Sequence, residues 1–121
     1  MKLVLVNSPA LIVPWSALHT MIKLTTSLSE NVPTAGVITP TVDSTMSVDN
    51  YPVCTSVKIA VTYTSSSGTT GLQDSITING TSIYSTINNK HIVLKGDKGT
   101  GPTSGIQAEV ISCGQTSTSV D

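Results

Sequence analysis

The sequence has no phenylalanine and no arginine, and only 11% of its 121 residues are charged. Six lysines against seven acids leave a net charge of −1. Nucleic-acid binding needs a basic stripe that neutralises phosphates, so that class of function is excluded. With one tryptophan and three tyrosines as the only aromatics, any core must be built from aliphatic side chains. No window approaches the ~20 consecutive apolar residues of a membrane helix. Met1 to Val6 imitates the start of a secretory signal, but Asn7, Ser8 and Pro9 break the run too early, and no cleaved leader is expected. There are only two cysteines. They are compatible with one disulfide or with two thiols in a reducing compartment.

What is abundant is β-branched. Valine, isoleucine and threonine together account for 43 of the 121 residues, and serine adds 17. Such side chains are stiff at χ1 and fit a pleated surface better than a helix. The positive mean hydropathy of +0.19 argues against disorder. The expectation is a single all-β domain over residues 1–121, a small cone or prism of short strands joined by Gly/Ser/Thr-rich turns.

Along the chain, Leu3 to Val6 is a short continuous apolar run that suits a buried strand. Pro9 and Pro14 bracket an extended Leu11-Ile12-Val13, and Ile22 and Leu24 alternate with Met21 and Lys23, which fits a strand. A Ser/Thr-rich link follows. Thr41 to Val48 reads as a loop because of Asp43, Asp49 and Asn50. Val57 to Thr64 is the clearest strand, with Val57, Ile59, Val61 and Tyr63 on one face. Ser65 to Gly71 is a turn cluster. Asn79-Gly80 is the strongest short hairpin signal, which makes Thr81 to Ile87 a returning strand. Lys95 to Pro102 reads as a loop, Ile106 to Ile111 as the last strand, and the rest as a polar tail. No sharp internal repeat is visible, only a rhythm of His or Cys followed by a β-branched run.

His19, Cys54, His91 and Cys113 are the four imidazole and thiol side chains of the sequence. Two nitrogens and two sulfurs suit a tetrahedral structural zinc, although the spacings are far from a local finger pattern. The competing expectation is two cysteines packed as small hydrophobes and two surface histidines. No serine sits in a nucleophile elbow, the acids are scattered, and Gly96 to Gly101 lacks the Gly-Lys-Ser/Thr ending of a phosphate loop. An enzyme is not expected.

Leu3-Val4-Leu5-Val6-Asn7 leads to Ala17-Leu18-His19, then Ile22-Lys23-Leu24, Pro52-Val53-Cys54-Thr55, the segment Ile76 to Thr81, and the closing Val110 to Thr116. Together these elements resemble the PAAR-like proteins, which cap the spike of contractile injection machines and phage tails. The tetrad that names the family is absent, and its usual His-Gly-Gly reads His19-Thr20-Met21. The resemblance implies zinc near the apex, with His19 and Cys54 matching best and His91 and Cys113 completing the set. It also implies a trimeric β-helical spike as partner. Assembly would take place in the cytoplasm, with deployment on a virion or extracellular particle, and the target membrane would be contacted only mechanically.

A seat on that spike needs exposed apolar surface. Leu3, Leu5, Leu11, Ile12, Val13 and Trp15 are the candidates, because a small core cannot absorb them all. Two other readings share the composition. One is a metal-free virion module of capsid or baseplate, and the other a carbohydrate- or cell-surface-binding β-sandwich with a Cys54–Cys113 disulfide.

Overall fold

The computed structural model describes residues 1–26 and 31–121, and no helix occurs among them. The elements run β1 (Lys2–Leu3), β2 (Ile22–Thr25), β3 (Val32–Val48), β4 (Tyr51–Thr64), β5 (Leu72–Asn79), β6 (Thr86–Ile87), β7 (Lys90–His91), β8 (Lys98–Thr100), β9 (Gln107–Val110) and β10 (Ser119–Val120). The all-β expectation is met. Part of the expected Ser/Thr-rich link, residues 27–30, lies outside the described residues.

Two three-stranded antiparallel sheets, β3-β4-β5 and β2-β9-β8, make up the body. They meet where β5 packs against β8. A Cβ on Gly99 would lie 2.2 Å from the Thr77 carbonyl oxygen, so only glycine lets these two backbones approach so closely. On the other side β2 nears β3, and the Trp15 amide donates to the Gly36 carbonyl at 2.8 Å. The sheets thus surround the larger core. Val57, Ile59, Val61 and Tyr63 point into it from β4, and Ile76 and Ile78 from β5, as their alternation requires.

Other expectations are corrected. Thr41 to Val48 is not loop but the second half of β3, paired with the start of β4 through bulges at Thr41/Val42 and Asp43/Ser47. Its residues are mostly exposed, so no apolar alternation marks them. Asn79-Gly80 is not a hairpin tip. Asn79 ends β5, and the Gly80 amide donates to Thr55 O at 3.1 Å. A side chain at Gly80 would strike the His91 carbonyl, so this glycine serves close approach rather than a turn. Thr81 to Ile87 is accordingly no returning strand, and only its last two residues are β6. The Lys95–Pro102 loop contains β8, and the polar tail contains β10, which pairs with β1.

At the centre lies a ring of three backbone hydrogen bonds. Leu5 N donates to Val93 O, Val93 N to Cys54 O, and Cys54 N to Leu5 O, each at 2.9 Å. Bridges between Val4 and Leu94 and between Val6 and Val53 extend the same pattern. Three segments, residues 4–6, 53–55 and 92–94, therefore bond to one another in a cycle, and all nine residues are buried. Because strand side chains alternate, the ring separates two cores. Leu5, Cys54 and Val93 face the larger one, while Val4, Val6, Val53, Ile92 and Leu94 form a smaller one. Buried polar side chains complete the bonding. Gln115 Nε2 donates to Val4 O at 2.8 Å, and the Ile92 amide donates to Ser82 Oγ at 2.6 Å.

Candidate functional site

Each ring segment is the outgoing arm of a two-stranded ribbon, and the three ribbons share one register. Val48 pairs with Tyr51, Ile87 with Lys90, and Val120 with Lys2. One step further in, Ser47 pairs with Pro52, Thr86 with His91, and Ser119 with Leu3. In every ribbon the incoming arm reads Ser/Thr and then Val/Ile. The tips are also alike. Asp49 and Asn50 have φ of 53° and 69°, and Asn88 and Asn89 have 50° and 65°. These are the left-handed pairs that a tight two-residue hairpin demands, and Asn and Asp tolerate them best after glycine. In the third ribbon Asp121, with φ of 64°, takes the first tip position and Met1 the second. The ring and its ribbons thus repeat three times, and the third copy joins residues 119–121 to residues 1–5.

The ribbons surround the smaller core, where Met46, Tyr51, Ile87 and Val120 pack around the ring residues. Their tips are exposed. Asn88 Nδ2 donates to Asp43 Oδ2 at 2.6 Å, which ties one tip to the neighbouring ribbon. Hydrogen bonds from the Thr45 hydroxyl and amide, and then from Asn88, hold the Asp43 carboxyl below its usual value. Asp121 accepts from the Ile83 and Tyr84 amides at 2.6 and 3.2 Å, fixing the exposed Ile83-Tyr84 loop beside the third tip. No sequence expectation pointed here. The signal was present in Ser47-Val48-Asp49-Asn50, Thr86-Ile87-Asn88-Asn89 and Ser119-Val120-Asp121, but it is short and broken across the chain ends.

The four zinc candidates sit in different surroundings. Cys54 and Cys113 are free thiols that share the larger core. Burial, and secondarily Cys113, pushes the Cys54 thiol up to about 12. Burial also raises Cys113 to about 11, against the pull of Lys95 and with the help of Asp97. Both are protonated at neutral pH, and Cys113 Sγ points its hydrogen at Leu3 O, 3.5 Å away. His19 organises the turn before β2. Its Nδ1 accepts from the Met21 and Ile22 amides at 3.2 and 3.1 Å, and its Nε2 faces Leu11 O at 3.3 Å. Neither ring nitrogen offers a lone pair to a metal. His91 lies exposed on β7, with Nδ1 bonded to Ser82 O. Among the described residues no three His, Cys, Asp or Glu side chains are placed to hold a metal ion together. As placed here, the four side chains do not form the single tetrahedral cluster that the resemblance implies.

The apolar N-terminal residues also divide. Leu5, Leu11 and Trp15 are buried in the larger core and Leu3 packs against it, while Ile12 and Val13 are about half exposed. Trp15 Nε1 donates to Ile22 O at 3.0 Å. As a contiguous apolar seat, the segment 3–15 is therefore corrected: four of its six candidates are spoken for by this chain's own core. No helix among the described residues is long and apolar enough to cross a membrane. Comparison with known protein families, curated proteins and solved structures returns no match for this chain.

Proposed function

We propose that this protein is a non-catalytic structural tip that caps the trimeric spike of a phage tail or contractile injection particle. The observation that carries this reading is the three-fold repeat, with its central ring of Leu5, Cys54 and Val93 and its three ribbons in one register. A single chain seated on the axis of a homotrimer meets the same surface three times, and can satisfy it only by offering similar groups three times. The resemblance of Leu3–Asn7, Pro52–Thr55 and Val110–Thr116 to spike-tip proteins points the same way.

The reading needs neither a metal nor a reaction. The chain is stitched through its own centre, which suits a part that transmits force. Residues 4–6 bond to segments at 53–54, 93–94, 113 and 118, so pulling on one end loads several strands at once. Native mass spectrometry of the protein mixed with the trimeric spike of the same particle tests the proposal. One copy per trimer is expected. No complex at micromolar concentrations, or a three-to-three ratio, would overturn it in favour of a virion module placed elsewhere.

A further inference from the structure

We infer that the cleft between the outer face of the β3-β4-β5 sheet and the β6-β7 ribbon binds a small oxyanion, a phosphate or sulfate group either free or carried on a polyol. The inference stands apart from the spike-tip reading. The cleft is open to solvent and has a volume of about 420 Å³. Its floor is a single row across the sheet, where Thr41 pairs with Ser56 and Ser56 with Asn79. Directly paired residues share a face and lie about 5 Å apart, so one hydroxyl or carboxamide from each strand can reach the same ion. Asn89, Lys90 and His91, from the tip and outgoing arm of the ribbon, form the wall. Gly80 joins the two. Its amide donates to Thr55 O at 3.1 Å, and a Cβ at this position would lie 2.2 Å from the His91 carbonyl oxygen. Any other residue would push the ribbon away from the sheet and spoil the inner corner of the cleft.

The lining has one sign of charge. Alongside hydroxyls and two carboxamides it holds the Lys90 ammonium and the His91 imidazole. Among the described residues neither a carboxylate nor an aromatic ring lines it, so a cation finds no counter-charge and a planar apolar ligand no face to stack on. The Ser82 carbonyl can only accept, so His91 Nδ1 carries the hydrogen of their bond, and the ring is fixed by a fully buried residue. Nε2 is left to meet a ligand, as a second donor once the ring is protonated. Asp43 lies within electrostatic reach of Lys90, but its carboxylate already accepts from the Thr45 amide and hydroxyl and from Asn88 Nδ2. Hydrogen bonds from an ammonium or imidazolium to an oxyanion are short and about twice as strong as neutral ones. The hydroxyls and carboxamides of the floor fill the remaining oxygens of the ion, and those of a polyol beside it.

Titration of isotope-labelled protein with sulfate, inorganic phosphate, glycerol phosphate and glycerol, followed through the amide chemical shifts, tests the site. Saturable shifts are expected at residues 41, 55–56, 79–80 and 89–91, with a Kd of about 1 mM or tighter for at least one of the three anions. Glycerol phosphate binding more tightly than phosphate identifies a polyol-borne group, and equal binding a free ion. Lys90→Gln should weaken binding at least fivefold, and Thr41→Val with Ser56→Ala at least threefold. Lys58→Gln is the control. Lys58 pairs with Thr39 and Thr77 in the next row of the same sheet face, outside the cleft, and its loss should weaken binding less than twofold. The altered residues are exposed or half-buried, and the spectrum of each variant reports its folding. The inference is overturned if no anion gives saturable shifts, if glycerol binds as tightly as glycerol phosphate, or if Lys58→Gln weakens binding as much as Lys90→Gln. The last result would mean attraction to the whole face rather than a site.

Discussion

Leu5, Cys54 and Val93 each give one amide hydrogen and receive one through the carbonyl, so a disturbance at any of them reaches the other two. Cys54→Ser would place a hydroxyl in a dry apolar site and should cost about 1–3 kcal/mol, measured by urea denaturation. Cys54→Ala should also destabilise, but through a lost contact rather than an unsatisfied group. The thiols are protonated and enclosed, so native protein should react with a maleimide far more slowly than protein in denaturant. Their raised values also set a pH dependence. An unfolded thiol ionises near 9.0, and the folded ones near 12 and 11. Burial thus contributes stability fully below about pH 9, which is lost as the pH climbs through the folded values. A melting temperature falling steeply between pH 9 and 11, and flatter in Cys54→Ala, is the expected record. Elemental analysis should find well under one zinc per chain, and chelator should leave the melting temperature unchanged. Leu11→Asp forces a charge into a fully buried site and should unfold the isolated domain, a loss of more than about 4 kcal/mol.

Among the elements, the loop at 101–105 is closed by Gly101 N to Ile106 O and Gly105 N to Gly101 O, joined by Asn31 Nδ2 to Ser104 O, and pinned to β5 by the Asp74 carboxylate. Burial pushes Asp74 up, but hydrogen bonds from the Ser104 side chain and amide, and from the Ser75 and Thr103 amides, outweigh it and leave the carboxyl below its usual value. That contribution is present above the ordinary carboxylate range and is lost as the pH falls through the lowered value. Asp74→Ala should speed amide exchange at 103–106 while sparing the ring. The ribbon turns have a similar dependence on residue type. Asn50→Val at φ of 69° should cost about 1–2 kcal/mol, and Asn50→Gly should be near neutral. These elements also mark how far the sequence could be read. The second half of β4 was legible because one of its faces is buried, and burial writes a period of two. The ribbons were not, since β3 beyond Thr41 buries only Val48 and half-buries Met46, too little to write an apolar alternation. Gly80 misled because glycine serves two ends, and a turn and a close approach look the same in one dimension. The thiols and imidazoles suggested a metal by their number alone. Their separate surroundings depend on contacts such as His19 with Leu11 and Cys113 with Leu3, which no spacing encodes.

At the scale of the whole molecule, the third ribbon has the chain's two ends where the others have a turn. Joining Asp121 to Met1 through a short glycine linker, and opening the chain between Asp49 and Asn50, should therefore return a folded protein with a melting temperature within a few degrees of the original. A collapse of the fold in that permutant would argue against the repeat. The ring also has a consequence for how the protein is made. The strand at 4–6 leaves the ribosome well before its partners at residues 93, 113 and 118, so it waits unpaired until those residues have been synthesised. Contacts this distant in sequence make folding slow, because loop closure comes before any return. Until then Val4, Leu5 and Val6 form an apolar edge open to pairing with other chains. A nascent chain arrested before residue 113 should aggregate or bind chaperones, and emergence of residues 113–118 should be the step that makes it compact.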